Sequence, residues 1–362
     1  MEERDALVIL LHTQRLGPVK ARFLIRHFTS AKQALYADPR EVACLPGFDE
    51  ALAKDLSHWR EKDGWKKDLE EAHRHNVEII SYADACYPRS LLSISDYPMI
   101  LYVMGKILPE DEHSIALVGT RCASIYGMEM ACQLGEDLAR ASLTVVSGLA
   151  RGIDTGGHKG ALKSGRTIAF LGSGLAKPYP PENEGLARLI AEKGAIVSEL
   201  PMNTRPGRQY FPRRNRLVSG MSMGTVLVEA PIKSGAMITM NRAKEQGRKL
   251  FALPGRADNK NFRGNHSLIK KGEAQLVENA KDILESFDNF FFQDRVFSQE
   301  KKQGELSSQE EDLLEKMPDE ELTIEEFVHL ARLPVDRVNV LLMGLVLKKR
   351  VKEFPGKIYK RI

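Results

Sequence analysis

The sequence predicts an α/β protein: a doubly wound parallel sheet, preceded by a small helical domain and followed by a winged-helix-like one. Three observations carry this expectation. Six short, largely apolar and β-branched runs between residues 114 and 290 alternate with helical stretches, as strands covered on both faces do. Most of these runs end in Gly, Ser or Thr with a basic residue close by, so backbone N–H and guanidinium groups gather at one rim of the sheet. The chain has 362 residues, more than one typical domain, so two or three units are expected.

Residues 1–80 read as helical, with apolar residues at helical spacing in Leu7–Leu11 and Phe23–Phe28. Leu16-Gly17-Pro18 joins two such helices, and Pro18 suits a first helical position. Leu45-Pro46-Gly47-Phe48 repeats the turn chemistry before Ala51–Leu56. Paired turns of this kind resemble SAM-like or helix-hairpin-helix modules, whose turn N–H groups can hold a DNA phosphate. A helical domain that only packs on its neighbour is the equal alternative. Residues 81–113 read as a connector, because Tyr87-Pro88, Asp96-Tyr97-Pro98 and the extended Ile100–Val103 oppose a long helix.

Over 114–290 the expected strands are Ile115–Val118, Thr144–Ser147, Thr167–Leu171, Ala195–Ser198, Thr225–Glu229 and Lys249–Leu253. The expected helices between them are Met128–Ala141, Gly157–Lys163, Glu182–Lys193 and Ala236–Gln246. Ligands on such sheets bind beyond the carboxyl ends of the strands, near the reversal of strand order. Residues 291–304 read as a linker. In 305–362, helical segments at Gln309–Glu315, Ile324–Ala331 and Val335–Leu347 precede extended Val351–Phe354 and Lys357–Tyr359, the pattern of a winged helix.

Composition excludes several classes. Apolar residues make up 43% and charged residues 28%, ordinary for a globular protein. Four cysteines without a CxxC pair suggest a reduced, cytoplasmic protein. The N-terminus lacks a basic, then apolar, leader, and the apolar stretch at Val338–Leu347 is too short to cross a bilayer. Net charge is only +4, so affinity for a polyanion must come from uneven distribution. From Leu143 to Pro181 the only acid is Asp154, and from Pro201 to Val228 there is none, while Arg205, Arg208, Arg213, Arg214 and Arg216 fall there.

The motifs sharpen this. Gly119-Thr120-Arg121 ends the first strand of the repeat without a GxGxxG or a Walker A pattern, which leaves a possible nest for a bare phosphate. Ser147-Gly148 and Arg151 follow the second strand, with glycines that let a ligand approach the backbone. Asp154 and His158 stand one helical turn apart. No third ligand supports a metal there, so an N-cap role for Asp154 and a packing hydrogen bond for His158 are expected. Arg213-Arg214-Asn215-Arg216, beside Tyr210 and Phe211, could stack bases or bind backbone, or could fix a loop by pairing with Glu199 or Glu229. Ser234-Gly235-Ala236 opens a helix whose N-terminus suits an anion.

Taken together, VGTRCASIYG, VVSGLARGID, YPPEN, SELP, FPRRNRLVSGMS, VLVEAPIKSGAMIT, FALPGR and GNHSLIKKGEA resemble, in order and spacing, the DNA-processing protein A family, also called Smf. The resemblance implies an extended Rossmann-like domain, no enzymatic activity and no cofactor or metal. It implies a single-stranded DNA binder of natural transformation that protects incoming strands, loads RecA recombinase and acts as a homodimer. Site residues so implied are Arg121, Arg151, Lys177, Arg213, Arg214, Asn215 and Arg216, and the turns read above add Gly119, Thr120, Ser147 and Gly148. Two rival readings remain: a nucleotide-cleaving Rossmann enzyme of the lysine-decarboxylase-like group, with Glu229 acting on a ribose, and a duplex-DNA regulator using the basic C-terminal end. Against the first, the chain has no PGGxGT signature.

Overall fold

The apolar runs form one nine-stranded sheet in order β1-β2-β6-β5-β4-β3-β7-β8-β9. The strands are β1 (Glu78–Ser81), β2 (Ile100–Gly105), β3 (Ser114–Val118), β4 (Thr144–Ser147), β5 (Thr167–Phe170), β6 (Ala195–Ser198), β7 (Gly224–Leu227), β8 (Lys249–Ala252) and β9 (Gln275–Leu276). The computed structural model describes residues 1–287, 308–318, 322–331, 333–347, 350–354 and 358–361, in two compact units, 1–288 and 289–362. Pairing is parallel from β6 through β9. β2 runs antiparallel to both β1 and β6, with Tyr102 opposite Ser198.

The chain starts the parallel sheet at β3 and winds outward through β4, β5 and β6. It then returns to β7 on the other side of β3 and winds outward again. The reversal therefore falls between β3 and β7, where adjacent connections leave in opposite directions and open a crevice at the carboxyl ends.

Alternation along the strands supplies two cores. In β5, Ala169 faces one way while Ile168 and Phe170 face the other; in β6, Ile196 opposes Ala195 and Val197. The first core takes in helices α1 (Glu3–His12), α2 (Pro18–Phe28), α3 (Ala31–Tyr36), α4 (Pro39–Ala43), α5 (Glu50–Ser57) and α6 (Gly64–Arg74), through Leu7, Leu24, Leu35, Leu52 and Ala72. Pro18 holds the first position of α2, as its missing N–H allows. Asp68 on α6 ties this layer to the sheet. Its buried carboxylate receives the Tyr102 hydroxyl and the Met202 N–H at 2.7 Å, with His12 Nε2 3.1 Å away.

The short α7 (Arg89–Leu92) precedes β2, and α8 (Ile125–Arg140) follows β3. α9 (Ile153–Ser164) follows β4 and packs closely on α8, because Gly160 lies where a Cβ would meet Cys132 O at 1.9 Å. α10 (Glu184–Lys193) leads into β6. α11 (Tyr210–Met221), α12 (Gly235–Glu245) and α13 (Arg263–Lys270) cover the second core, through Leu217, Val218, Met240 and Leu268. α14 (Ala280–Glu285) closes the unit.

The structure departs from the expected elements in several places: Glu78–Ser81, read within the helical segment 1–80, is strand β1, and β9 and α13 are further elements not expected. Ile100–Gly105, read as extended connector, is a strand of the sheet. Phe211–Arg216, read without an element, lies in α11. Pro212 is tolerated there because it falls in the first turn, where N–H groups have no helical partner.

In the second unit, helices Ser308–Lys316, Ile324–Ala331 and Val335–Leu347 enclose Leu313, Phe327, Val338 and Leu342. β10 (Leu322–Thr323), β11 (Val351–Phe354) and β12 (Ile358–Arg361) form an antiparallel sheet in order β10-β12-β11. The linker expected at 291–304 and the turn expected at Pro355-Gly356 lie outside the described residues.

Candidate nucleic-acid interface

The crevice at the strand reversal is a cleft of about 430 Å³. Gly119, Thr120 and Arg121 line it after β3, Gly148, Ala150 and Asp154 after β4, and Pro231, Lys233, Ser234 and Gly235 after β7. Phe211, Arg214 and Asn215 of α11 form a further wall. A small cavity of about 30 Å³ continues from it between Arg121, Arg151, Tyr179, Phe211 and Arg214.

Arg214 is the most constrained cation of the site. It is 5% exposed, and Nη1 donates to Phe170 O at 2.5 Å, while Nε has no acceptor among the described residues. Burial brings its guanidinium down to about 10, opposed by the neighbouring Asp154 carboxylate. Gly148 makes room for it, since a Cβ there would lie 1.8 Å from Nη1. Arg121 is exposed and stacks on the Phe211 ring, with Cζ 4.9 Å from the centroid. Among the described residues neither Arg121 nor Lys233 has an ion-pair partner.

Asp154 does not cap its helix. It sits in the first turn of α9, and its carboxylate accepts the N–H groups of Gly148 at 3.1 Å and Ala150 at 3.2 Å. Burial raises its carboxyl above the ordinary value, and Arg214 with these N–H groups opposes the rise. The 148–150 loop is thus fixed before any ligand arrives. His158 is fully buried; Nε2 accepts the Leu149 N–H, so Nδ1 carries the proton and donates to Thr167 Oγ1 at 2.7 Å. Burial and then Arg214 bring its imidazole down to about 3, so it packs as a neutral group.

Glu229 is fully buried and performs a comparable task for the Arg121 loop. Its carboxylate accepts the Ser124 N–H at 3.0 Å, the Ser124 hydroxyl at 2.7 Å and Asn261 Nδ2 at 3.1 Å. It therefore neutralises the N-terminus of α8 from inside and presents no oxygen to a ribose, which removes the group that the nucleotide-cleaving reading required. Thr120 N–H donates to Glu229 O at 2.7 Å, so the turn expected as a phosphate nest already has an internal acceptor.

The structure gathers Gly119, Thr120, Arg121, Gly148, Arg214 and Asn215 around the cleft, with Arg151 at the adjoining cavity. Arg151 also pairs with exposed Glu182. Two expected contact residues are corrected. Ser147 is buried inside the sheet and its hydroxyl donates to Leu117 O at 2.6 Å. Arg216 is buried on the far side of α11, with Nη2 on Glu199 at 2.5 Å and Nε on Asp96 at 3.0 Å. Two helical steps rotate it about 200° from Arg214, so neighbours in sequence meet opposite surroundings. Arg213 and Lys177 are exposed and line neither cavity. Sequence reasoning missed Lys233, although its position after β7 mirrors that of Arg121 after β3. No group of three or more His, Cys, Asp or Glu among the described residues could hold a metal ion.

A family model described as DNA recombination-mediator protein A matches residues 78–288. The Smf protein of Escherichia coli (strain K12) is 38% identical over 296 residues, spanning 80% of this chain and 78% of that one. The chain belongs to this family. As a member it is a DNA recombination mediator rather than an enzyme. A solved structure of DNA processing protein A from Streptococcus pneumoniae superposes with a TM-score of 0.70 at 30% identity, over 79% of this chain and 98% of that chain. One from Helicobacter pylori, described as having a unique single-stranded DNA binding mode, gives 0.53 at 29% identity over 58% and 95%. No helix among the described residues is long and apolar enough to cross a membrane.

Proposed function

We propose that this chain binds single-stranded DNA along the carboxyl edge of its sheet, protects strands taken up in natural transformation and loads RecA recombinase onto them. The supporting observation is the cleft at the strand reversal, where Arg121, Arg214 and Lys233 face one carboxylate, Asp154, that is already held by backbone N–H groups. In this reading Arg121, Arg151 and Lys233 neutralise phosphates at the rim, while Phe211 and Tyr179 offer faces for bases. Arg213 and Lys177, exposed and outside both cavities, touch the strand beyond the cleft. The protein works in the cytoplasm as a homodimer, so that two clefts hold one long strand.

A salt titration of strand affinity tests the binding step. Each phosphate neutralised contributes about −0.7 to the slope of log affinity against log salt, so Arg121→Ala lowers the slope by about that amount. An unchanged slope and affinity would sink the assignment of this cleft. RecA filament growth on strands coated with single-strand binding protein tests the loading step, which predicts faster growth with this protein present.

A further inference from the structure

The cleft distinguishes its floor from its rim. Arg121 lies at the rim and is open to solvent, whereas Arg214 is only 5% exposed. Only Nη1 of Arg214 finds a protein acceptor, and Nε has none among the described residues. The N-terminus of α12 opens into the same cleft, with no acid in its first turn. Its cap, Ser234, accepts the Met237 N–H, which leaves the N–H groups of Gly235 and Ala236 without acceptors among the described residues. Gly235 faces open space, with nothing within 4 Å of a Cβ built there. The N-terminus of α8 is the contrast, since buried Glu229 already occupies it.

We propose that this cleft, between buried Arg214 on its floor and the exposed Lys233 and N-terminus of α12 at its mouth, holds a subsite for a terminal phosphate monoester. The inference rests on the strand-binding reading above and specifies what this part of the cleft recognises. An internal phosphodiester is tethered to a sugar on each side, which holds it at the rim. A terminal phosphate has one ester link and can reach inward to a buried guanidinium. It also carries about −1.5 to −2 charge at neutral pH, against −1 for a diester. That charge suits a site with two cations, Arg214 and Lys233, one committed carboxylate and a helix N-terminus. The same chemistry is offered by the phosphorylated end of a strand and by a free nucleoside monophosphate.

Competition binding on the full chain tests this with one oligonucleotide sequence bearing either a 5′-phosphate, a 3′-phosphate or hydroxyls at both ends. A phosphate at one end should tighten binding about tenfold, the size of one added charge-assisted hydrogen bond. Gly235→Glu, placed in open space, should abolish that preference by weakening the phosphate-ended strand more than the hydroxyl-ended one; Lys233→Ala should reduce the preference. Deoxynucleoside monophosphate separates the two sources: displacement of the phosphate-ended strand by the monophosphate, but not by the nucleoside, admits free nucleotides, and no displacement restricts the subsite to strand ends. Equal affinity for all three strands would overturn the subsite and leave strand binding standing. No binding of any strand would overturn both.

Discussion

The two edges of the central sheet hold their arginines in opposite ways. At the amino edge, Arg166 donates to both oxygens of buried Asp111, at 3.0 and 2.9 Å, and to the carbonyls of Lys193 and Lys106. Asp111 also accepts the Thr144 hydroxyl at 2.6 Å and the Leu108 N–H at 2.7 Å, so the cluster is closed. At the carboxyl edge Arg214 has one carbonyl, Arg121 has an aromatic ring and Lys233 has no acid. Guanidinium groups are thus common to both edges. What sets the carboxyl edge apart is that its exposed cations, Arg121 and Lys233, have no ion-pair partner among the described residues, beside a buried Arg214 whose Nε is unmatched and would gain from an added acceptor.

The largest effect expected from this contrast is on stability at the amino edge. Asp111→Ala strands Arg166 and Thr144 and should cost about 3 kcal/mol, in the range for removing one partner of a buried pair. Urea denaturation measures it, and strand affinity of the folded fraction should stay unchanged. At the other edge the ranking reverses. Arg121→Ala should weaken single-strand binding about tenfold, with the thermal midpoint within error of the parent; a drop in midpoint would mean that this edge, too, is built for stability.

The third expectation concerns pH. His158 has its folded value lowered to about 3, so between there and its ordinary value the unfolded chain binds more protons, and stability falls as pH drops through that window. Asp154 acts oppositely, since its raised folded value makes the folded state bind more protons above the ordinary carboxyl range. His158→Gln should therefore flatten the loss of urea midpoint between pH 6.5 and 5. A slope as steep as the parent's would assign that loss to other groups. The smallest effect belongs to Glu182, whose pair with Arg151 is exposed at both ends. Glu182→Gln should tighten strand binding less than threefold, as exposed ion pairs are weak.

Which parts of this arrangement could be read beforehand follows from how each is buried. β3 to β8 are largely apolar and β-branched because both faces are covered, so they announced themselves. Arg121 and Gly148 were found because they end such runs. β1 and β2 gave little signal: two short antiparallel segments joined by proline-rich chain carry no period that separates them from a connector. α11 was hidden because Arg214 and Arg216 occupy positions where an apolar face would otherwise repeat every three or four residues. For the same reason nothing in FPRRNR told the cleft arginine from the structural one; only helical phase does so. Lys233 went unnoticed because it is a lone cation in Pro231-Ile232-Lys233-Ser234-Gly235, away from the arginine runs.

Asp68 has a practical consequence for anyone who trims this protein. The family match begins at residue 78, which invites a fragment starting there. Such a fragment would discard the carboxylate that anchors Met202, just upstream of the helix carrying Arg214, and would leave the Tyr102 hydroxyl without its acceptor. It would also bare to water the sheet face that Leu7, Leu24 and Leu52 help to cover. A shortened protein of that kind should clump during purification, and any loss of DNA affinity in it would report a damaged scaffold, not a missing contact.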